Sequence, residues 1–310
     1  MDSIKIGLID VDGHNFPNIP LMKLSAWHKK QGDMVDWYHP MFSGHCDRVY
    51  VSKVFSFTDD YADIINADEV IRGGTGYCIS LKNGKEIFDK SKNINLKEEV
   101  EQIYPDYELY GQLTKDTAFG FMTRGCPRGC DFCHVADKEG RCSIKVADLR
   151  TFWNGQTNIR LCDPNTFACK ESVDLLGQLI ESKAIIDFTQ GIDVRIATAE
   201  KIEMLNQMRI KRVHLAWDHP EQDLTEDFRR FSECYKRKSA SGKVVYVLTN
   251  FNSTIEQDLY RIYTLRDLKY DPYIMIYDKA HADQTHKALA RWVNNRIIWR
   301  SCSRFEDYVA

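Results

Sequence analysis

The chain has 310 residues, 43% of them hydrophobic, and a formal net charge of -3 at pH 7. A chain of this length and composition buries a sizeable core and forms one large domain or two domains of unequal size. The small negative charge excludes a protein held on nucleic acid by global electrostatic attraction, so no direct nucleic-acid binding is expected. Apolar runs are short and flanked by charges, so we expect a cytoplasmic protein without a membrane span or signal peptide.

The first part of the chain predicts a small open α/β sheet. Its predicted elements are a strand over Ile4–Ile9, a helix over Leu21–Lys30, strands over Val49–Phe57 and Glu69–Ile71, and a helix over Asp59–Asn66 between those strands. A glycine-rich turn follows at residues 73–76. We therefore predict a Rossmann-like domain over residues 1–80 and a charged connector over residues 81–117.

The rest of the chain predicts an incomplete parallel barrel. Six apolar or β-branched segments alternate with helical segments, a pattern that requires a parallel sheet with helical crossovers. The predicted strands are Phe119–Thr123, Ile159–Cys162, Ile185–Thr189, Arg212–Trp217, Val244–Thr249 and Tyr273–Tyr277. The predicted fold class is therefore α/β, with the Rossmann-like open sheet followed by a partial (βα)6 TIM-type barrel over residues 118–310, including a C-terminal extension.

The most informative motif is the sequence CPRGCDFC, in which Cys126, Cys130 and Cys133 follow the spacing CxxxCxxC. A 4Fe-4S cluster has four irons and is normally held by four thiolates, so three closely spaced ligands imply a cluster with one open iron. An open iron can bind and cleave a substrate. The other cysteines are spread thinly through a chain without an export signal, which favours reduced thiols over a disulfide framework.

Zinc is the alternative for the same residues. Cys130 and Cys133 form a CxxC pair, and His134 or Cys142 would complete a tetrahedral site. No second CxxC or HxxxH pair lies at zinc-finger distance in the sequence. The spacing therefore favours the iron-sulfur cluster, and a non-enzymatic, zinc-stabilised binding module remains the alternative.

The cysteine motif resembles the signature of the radical S-adenosylmethionine (SAM) superfamily. The resemblance implies that the open iron chelates SAM and that Phe132, just before the last cysteine, lies near the adenine. It further implies reductive cleavage of SAM to a 5′-deoxyadenosyl radical, which takes a hydrogen atom from a small-molecule substrate. A reducing electron donor such as flavodoxin or ferredoxin is implied as a partner.

Polar residues at the predicted strand ends are candidates for binding SAM. In a parallel βα barrel the active site lies where strands end and helices begin, and carboxylate, amide and guanidinium groups suit the polar groups of SAM. The predicted SAM-binding residues are Asp163, Gln190, Asp193 and Arg195. Residues 187–195 resemble the third-strand region that faces SAM in several family members. The alternative is that Asp193 and Arg195 only cap and pair at the next helix.

The loop after the first strand is a second candidate site, because ligands bind at the carboxyl ends of strands in open α/β sheets. It resembles the DxHxxG motif of cobalamin-binding domains, although Pro17 replaces the final glycine. Proline cannot supply the same freedom of φ. We therefore expect a degenerate cobalamin-binding-like domain in which Asp12, His14 and Asn15 bind the substrate. Loop capping by Asp12 and Asn15 is the alternative.

The whole-chain pattern, including the turn Gly73–Tyr77 and the segment Arg300–Cys302, resembles the queuine lyase-like subgroup of the radical SAM superfamily. This resemblance implies a lyase in queuosine salvage, a branch of tRNA modification. Such an enzyme abstracts hydrogen from the cyclopentene-bearing side arm of queuine and releases a 7-deazaguanine base by C-N cleavage. No catalytic residue is assigned. A cobalamin-dependent radical SAM methylase or a methylthiotransferase is the alternative enzyme class, although the latter usually brings a second cluster.

Overall fold

The computed structural model describes residues 3–13, 15–82 and 85–309. The chain forms two compact units. The first comprises Met1–Phe121, Gly125–Arg141 and Val146–Ile159, and the second comprises Met122–Arg124, Cys142–Lys145 and Arg160–Ala310. The chain therefore passes between the units several times, whereas the sequence predicted single boundaries near residues 80 and 117. Across the described ranges, no helix is long and apolar enough to cross a membrane.

A parallel four-stranded sheet in the order β2-β1-β3-β4 builds the first unit. Its strands are β1 (Lys5–Asp10), β2 (Met34–Trp37), β3 (Cys46–Ser52) and β4 (Ala67–Gly73). Ile6 and Leu8 of β1 pack with Leu21 and Leu24, whereas Ile9 belongs to a second cluster on β3. Both faces of the sheet are thus covered, as is usual for parallel sheets.

Helix α1 (Ile19–Gln31) confirms the helix predicted over Leu21–Lys30. The side chain of Asn18 accepts a hydrogen bond from the Leu21 amide at 3.2 Å, which caps the helix. Gly32 follows with a φ of 90°, a left-handed conformation that glycine adopts without steric cost.

Residues 59–66 form no helix, so that prediction is wrong. The Asn66 amide donates to the Tyr38 hydroxyl at 2.8 Å, and the Asp60 carboxylate accepts from the Tyr61 amide at 2.8 Å. The Tyr38 side chain thus takes the hydrogen bond of Asn66 that a helix would make within its own backbone, whereas the Tyr61 amide would lie in the first turn and have no backbone acceptor.

Several short elements lie at the end of the predicted Rossmann-like domain and in the predicted connector. They are α2 (Thr75–Cys78), β5 (Ile79–Lys82), β6 (Lys85–Phe88) and α3 (Glu98–Glu101), with 3-10 helices at Lys90–Lys92 and Tyr107–Leu113. The next elements are β7 (Thr117–Gly120), β8 (Thr123–Arg124), α4 (Val135–Glu139), β9 (Ile144–Lys145) and β10 (Asn158–Leu161). β5 pairs with β6, and β8 with β9, in antiparallel fashion.

The second unit carries parallel strands that alternate with helices. The strands are β11 (Ile185–Phe188), β12 (Arg209–Ile210), β13 (Val213–Ala216), β14 (Lys243–Thr249) and β15 (Asp271–Ile276). The helices are α5 (Ser172–Ser182), α6 (Ala199–Gln207), α7 (Thr225–Cys234), α8 (Ile255–Asp267), α9 (Gln284–Asn294), α10 (Arg296–Ser301) and α11 (Phe305–Val309). These strands form two sheets, with neighbouring strands in the order β12-β11-β10 in one sheet and β13-β14-β15 in the other. A parallel bridge pairs Ile192, after β11, with Leu215 of β13.

The predicted fold class is confirmed: an open parallel sheet is followed by a strand-helix series. Each predicted barrel strand is present within a few residues of its expected bounds. The apolar runs identified them because one face of each strand is buried, with Ile186, Val213, Leu215, Val245 and Val247 at 0% exposure.

Candidate active site

The three cysteines of the motif lie on one loop between β8 and α4. Gly129, in the middle of this loop, has a left-handed φ of 56°. The loop is closed by hydrogen bonds from the Cys126 amide to the Gly140 carbonyl (3.1 Å) and from the Cys133 amide to the Cys130 carbonyl (2.9 Å). All three cysteines are partly exposed, and none of the ten cysteines, all of them in described positions, forms a disulfide. Accessible reduced thiols on a preformed turn fit the binding of an iron-sulfur cluster.

The left-handed φ of Gly129 explains why this residue is glycine, and the side chain of Arg141 lies against it. A Cβ atom at Gly129 would lie 2.2 Å from the Nη1 atom of Arg141, so the guanidinium lies directly against the loop backbone. Phe132, the predicted neighbour of the SAM adenine, is partly exposed on the same loop.

The side chains near the motif do not form a site for a single metal ion. Among the residues that the structure describes, no three His, Cys, Asp or Glu side chains come together to hold one. The Nε2 atom of His134 lies 3.2 Å from the Glu86 carboxylate, and its ring packs against Phe88. Zinc requires its ligands around one ion, whereas a four-iron cluster takes each thiolate on a different iron. The zinc-stabilised module stays the alternative prediction for these residues.

Asp163, just after β10, holds the backbone that leads into the cysteine loop. One carboxylate oxygen accepts from the Met122 amide (2.7 Å), and the other accepts from the Thr123 amide (3.0 Å) and the hydroxyls of Thr123 (2.7 Å) and Thr166 (3.1 Å). Burial raises the pKa of Asp163 to about 6, although these hydrogen bonds act in the opposite direction. Both oxygens are engaged by the protein, and SAM binding by Asp163 remains a prediction.

The segment after β11 places the other predicted SAM ligands around a turn. Gln190 is exposed, and Gly191 follows with a φ of 86°. The Asp193 carboxylate accepts from the Arg195 amide (3.2 Å) and from its Nε atom (2.7 Å), while Arg195 Nη1 donates to Gln222 (2.6 Å). Asp193 and Arg195 thus form a helix cap and an ion pair, as the alternative to SAM binding predicted. SAM binding by Gln190, Asp193 and Arg195 remains a prediction.

Asp12 anchors the segment that follows β3. It is only 6% exposed, and its carboxylate accepts from the amides of Val54 and Phe55 and from the Thr58 hydroxyl at 2.7 Å. Asn15 is exposed, and His14 lies outside the described residues. The loop-capping alternative therefore accounts for Asp12. Substrate binding by Asp12, His14 and Asn15 remains a prediction.

The glycine-rich turn at residues 73–76 packs against the same segment. A Cβ atom at Gly74 would lie 2.2 Å from the Lys53 carbonyl oxygen, and one at Gly76 would lie 2.7 Å from the Phe55 carbonyl oxygen. Gly74 also has a φ of 103°. Close approach of two backbones explains these glycines without a ligand.

A buried arginine supports the strand ends beside Asp218, which follows β13. Arg261 of α8 donates to the carbonyls of Trp217 (2.6 Å), Asp218 (3.2 Å) and Leu248 (2.9 Å) and to the Asp258 carboxylate (2.5 Å). Burial raises the pKa of Asp218 to about 6, while the charge of Arg261 acts in the opposite direction. Asp218 thus titrates near neutrality at the end of a barrel strand, where catalytic groups of this architecture lie.

A row of polar side chains crosses the strands of the second unit. Arg160 Nε lies 3.8 Å from one carboxylate oxygen of Asp187, and the other oxygen lies 3.6 Å from Nδ1 of His214. The His214 ring stacks on Tyr246 with centroids 5.6 Å apart, and Tyr246 contacts Tyr273 edge to face at 5.9 Å. Asp187 Oδ1 and His214 Nδ1 are buried and have no hydrogen-bond partner in the described part of the chain.

Sequence reasoning missed this row, although a local signal was present. Asp187 stands between the buried residues Ile186 and Phe188, and His214 stands between the buried residues Val213 and Leu215. A polar residue between two buried apolar residues of a strand lies on the opposite face of the sheet. Reading both faces of each predicted strand would have identified the two positions.

Comparisons with known proteins define the class of fold. No protein family model and no curated protein matches the sequence. Among solved structures, the chain shares the fold of a radical S-adenosylmethionine methyltransferase, in agreement with the open sheet and partial barrel described above.

That neighbour is TsrM from Kitasatospora setae, found in two structures. One, with cobalamin and a 4Fe-4S cluster bound, is 11% identical at a TM-score of 0.60 and matches over 89% of this chain and 75% of that chain. The other, with tryptophan substrate and the SAM analog aza-SAM bound, is 12% identical at a TM-score of 0.61 and matches over 87% of this chain and 72% of that chain.

Proposed function

We propose that this protein is a radical SAM enzyme whose 4Fe-4S cluster is held by Cys126, Cys130 and Cys133. The observation that carries the proposal is a loop with CxxxCxxC spacing in a chain with the fold of a radical SAM methyltransferase. When bound, the cluster would supply one electron that cleaves SAM into methionine and a 5′-deoxyadenosyl radical. This radical would become 5′-deoxyadenosine by taking a hydrogen atom from the substrate. The electron comes from a reducing partner such as flavodoxin or ferredoxin.

The chain's own residues position this chemistry and handle its protons. Asp163 fixes the backbone before the cysteine loop through two amide and two hydroxyl bonds. Arg141 places a positive charge against that loop. Asp218, with a pKa near 6, is suited to exchange a proton with a substrate at neutral pH.

The substrate that we propose is queuine, cleaved at a C-N bond to release a 7-deazaguanine base. The support is the sequence resemblance to the queuine lyase-like subgroup. A guanine-like base presents two adjacent donors, which one carboxylate can accept together. Asn15, His14 and Asp12 are the residues proposed to contact it.

Anaerobic reconstitution tests both levels of the proposal. Protein with iron, sulfide, SAM and dithionite should form 5′-deoxyadenosine, and added queuine should yield a shorter deazaguanine by mass spectrometry. Cys130→Ser should reduce 5′-deoxyadenosine to background, whereas Cys142→Ser, an exposed cysteine outside the motif, should not. Equal activity of the two variants would refute the radical SAM proposal. Formation of 5′-deoxyadenosine without a deazaguanine product would refute only the substrate.

A cobalamin-dependent radical SAM methylase is the second candidate, favoured by the fold shared with TsrM. The sequence of the first loop opposes it, because Pro17 replaces the final glycine of the cobalamin-binding motif. Purified protein mixed with hydroxocobalamin and desalted decides the question. A retained corrinoid spectrum would favour the methylase, and loss of the corrinoid would exclude it.

A further inference from the structure

The first unit contains a cavity lined by Asp10 at the end of β1 and by Val11 and Gly13 of the loop that follows, the loop that also carries the residues proposed to contact the substrate. Its volume is about 560 Å³, within the range of small-molecule sites. It lies beside the carboxyl end of β1, next to the point where the strand order of the parallel sheet changes direction. Ligands of open α/β sheets bind in this crevice.

Two pairs of aromatic rings line the cavity. Trp37 and Tyr110 meet edge to face with centroids 5.2 Å apart, and Tyr38 and Tyr61 meet in the same way at 6.5 Å. Aromatic faces attract planar ligands and cations. The Tyr61 hydroxyl is buried without a hydrogen-bond partner among the described residues, which leaves a polar group for a ligand.

The charge of the lining is negative. Asp10, Asp59 and Asp60 contribute to it, and its lining residues, all of them described, include no lysine, arginine or histidine. Asp10 is held in place because its carboxylate accepts from the Tyr110 hydroxyl at 2.5 Å and from the Gly13 amide at 3.3 Å. Asp60 also accepts from the Tyr77 hydroxyl and lies 3.9 Å from Nε of Arg72, so Asp10 and Asp59 are the carboxylates that disfavour an anionic ligand and favour an ammonium group.

We propose that this cavity binds a planar aromatic molecule that carries an ammonium group. The rings of Trp37 and Tyr110 contact the plane of the ligand, and Asp10 and Asp59 receive its ammonium. The proposal concerns a site separate from the cysteine loop and does not depend on radical SAM activity.

Calorimetry on the anaerobically purified full chain tests the proposal with matched probes. Tryptamine and indole-3-acetate share a ring and carry opposite charges at pH 7.5, while ethylamine carries the ammonium without the ring. Tryptamine should bind at least about tenfold more tightly than either of the others, because a charge-assisted bond and a ring contact each contribute about this factor. Equal binding of indole-3-acetate or ethylamine, or no binding of tryptamine, would overturn the proposal.

Variants locate the site. Asp10→Asn should weaken tryptamine binding about tenfold and Asp59→Asn several-fold, because each removes one negative charge from the cavity. Asp68→Asn, at an exposed aspartate of β4 that does not line the cavity, is the matched control and should not change the affinity. If Asp10→Asn does not fold, the tryptamine affinity of Asp59→Asn alone tests the proposal. Unchanged affinity in Asp59→Asn would also count against the proposal.

Discussion

Arg261→Met is expected to destabilise the protein strongly, because this arginine belongs to a fully buried ion pair. Arg261 and Asp258 are three residues apart on α8, and both side chains have 0% exposure. Loss of the guanidinium leaves the buried Asp258 carboxylate with only His286 beside it, at 3.8 Å from Nε2, and breaking a buried ion pair in this way costs about 3–5 kcal/mol. It also removes the donor from three backbone carbonyls. We therefore expect the free energy of unfolding to fall by at least about 4 kcal/mol.

An exposed pair with the same spacing provides the control. Arg229 and Glu226 lie three residues apart on α7, with side chains 48% and 79% exposed. Arg229→Met should cost no more than about 0.5 kcal/mol. Urea unfolding at pH 7.5, followed by circular dichroism, measures both variants. In Arg261→Met/Asp258→Leu the unpaired charge is gone, so this double variant should be more stable than Arg261→Met alone. Similar losses in the Arg261 and Arg229 variants would refute the reasoning.

Three further predictions concern pH, backbone packing and the first loop. The raised pKa of Asp218 means that the folded chain holds an extra proton between pH 4 and pH 6, so this group's contribution to stability falls as pH rises. Between pH 4 and pH 7, the free energy of unfolding of the wild type should therefore fall by about 3 kcal/mol relative to that of Asp218→Asn. Urea unfolding of both proteins at the two pH values measures this difference. Gly74→Ala should lower the melting temperature much more than Gly155→Ala, because both glycines have a positive φ but only Gly74 faces a backbone atom within 4 Å; equal shifts would contradict the packing account. Asp12→Ala should cost about 2–4 kcal/mol, since it removes the acceptor of two amides and a hydroxyl; a raised KM with unchanged stability would instead favour substrate binding.

The sequence predicted the strands well because their signal is local. A strand such as β14 has several consecutive apolar residues, and three of them, Val244, Val245 and Val247, are buried. The helix expected over residues 59–66 is absent, and the Asn66 amide at its predicted end donates instead to the Tyr38 hydroxyl, a contact that no local pattern records. β2 was missed because a four-residue edge strand with two exposed positions has little apolar periodicity.

The residues of the candidate site also fall into two groups, those recognised from a local sequence pattern and those that depend on partners distant in sequence. The cysteine spacing is local and was recognised from eight consecutive residues. Asp187 and His214 come together only through neighbouring strands 27 positions apart in the sequence. The roles of Asp12 and Asp163 as backbone anchors also depend on partners about 40 residues distant. Residue type therefore identified these positions as important, but the choice between ligand and anchor required the fold.

The discontinuous make-up of the first unit constrains how the protein is made. That unit includes Gly125–Arg141 and Val146–Ile159, so during translation it cannot be completed until residue 159 has left the ribosome. A fragment that stops at residue 117 lacks both segments. Expression of the amino-terminal part alone should therefore give an incomplete body with apolar surface exposed to aggregation and proteolysis, whereas a fragment extended through residue 159 supplies every segment of that unit.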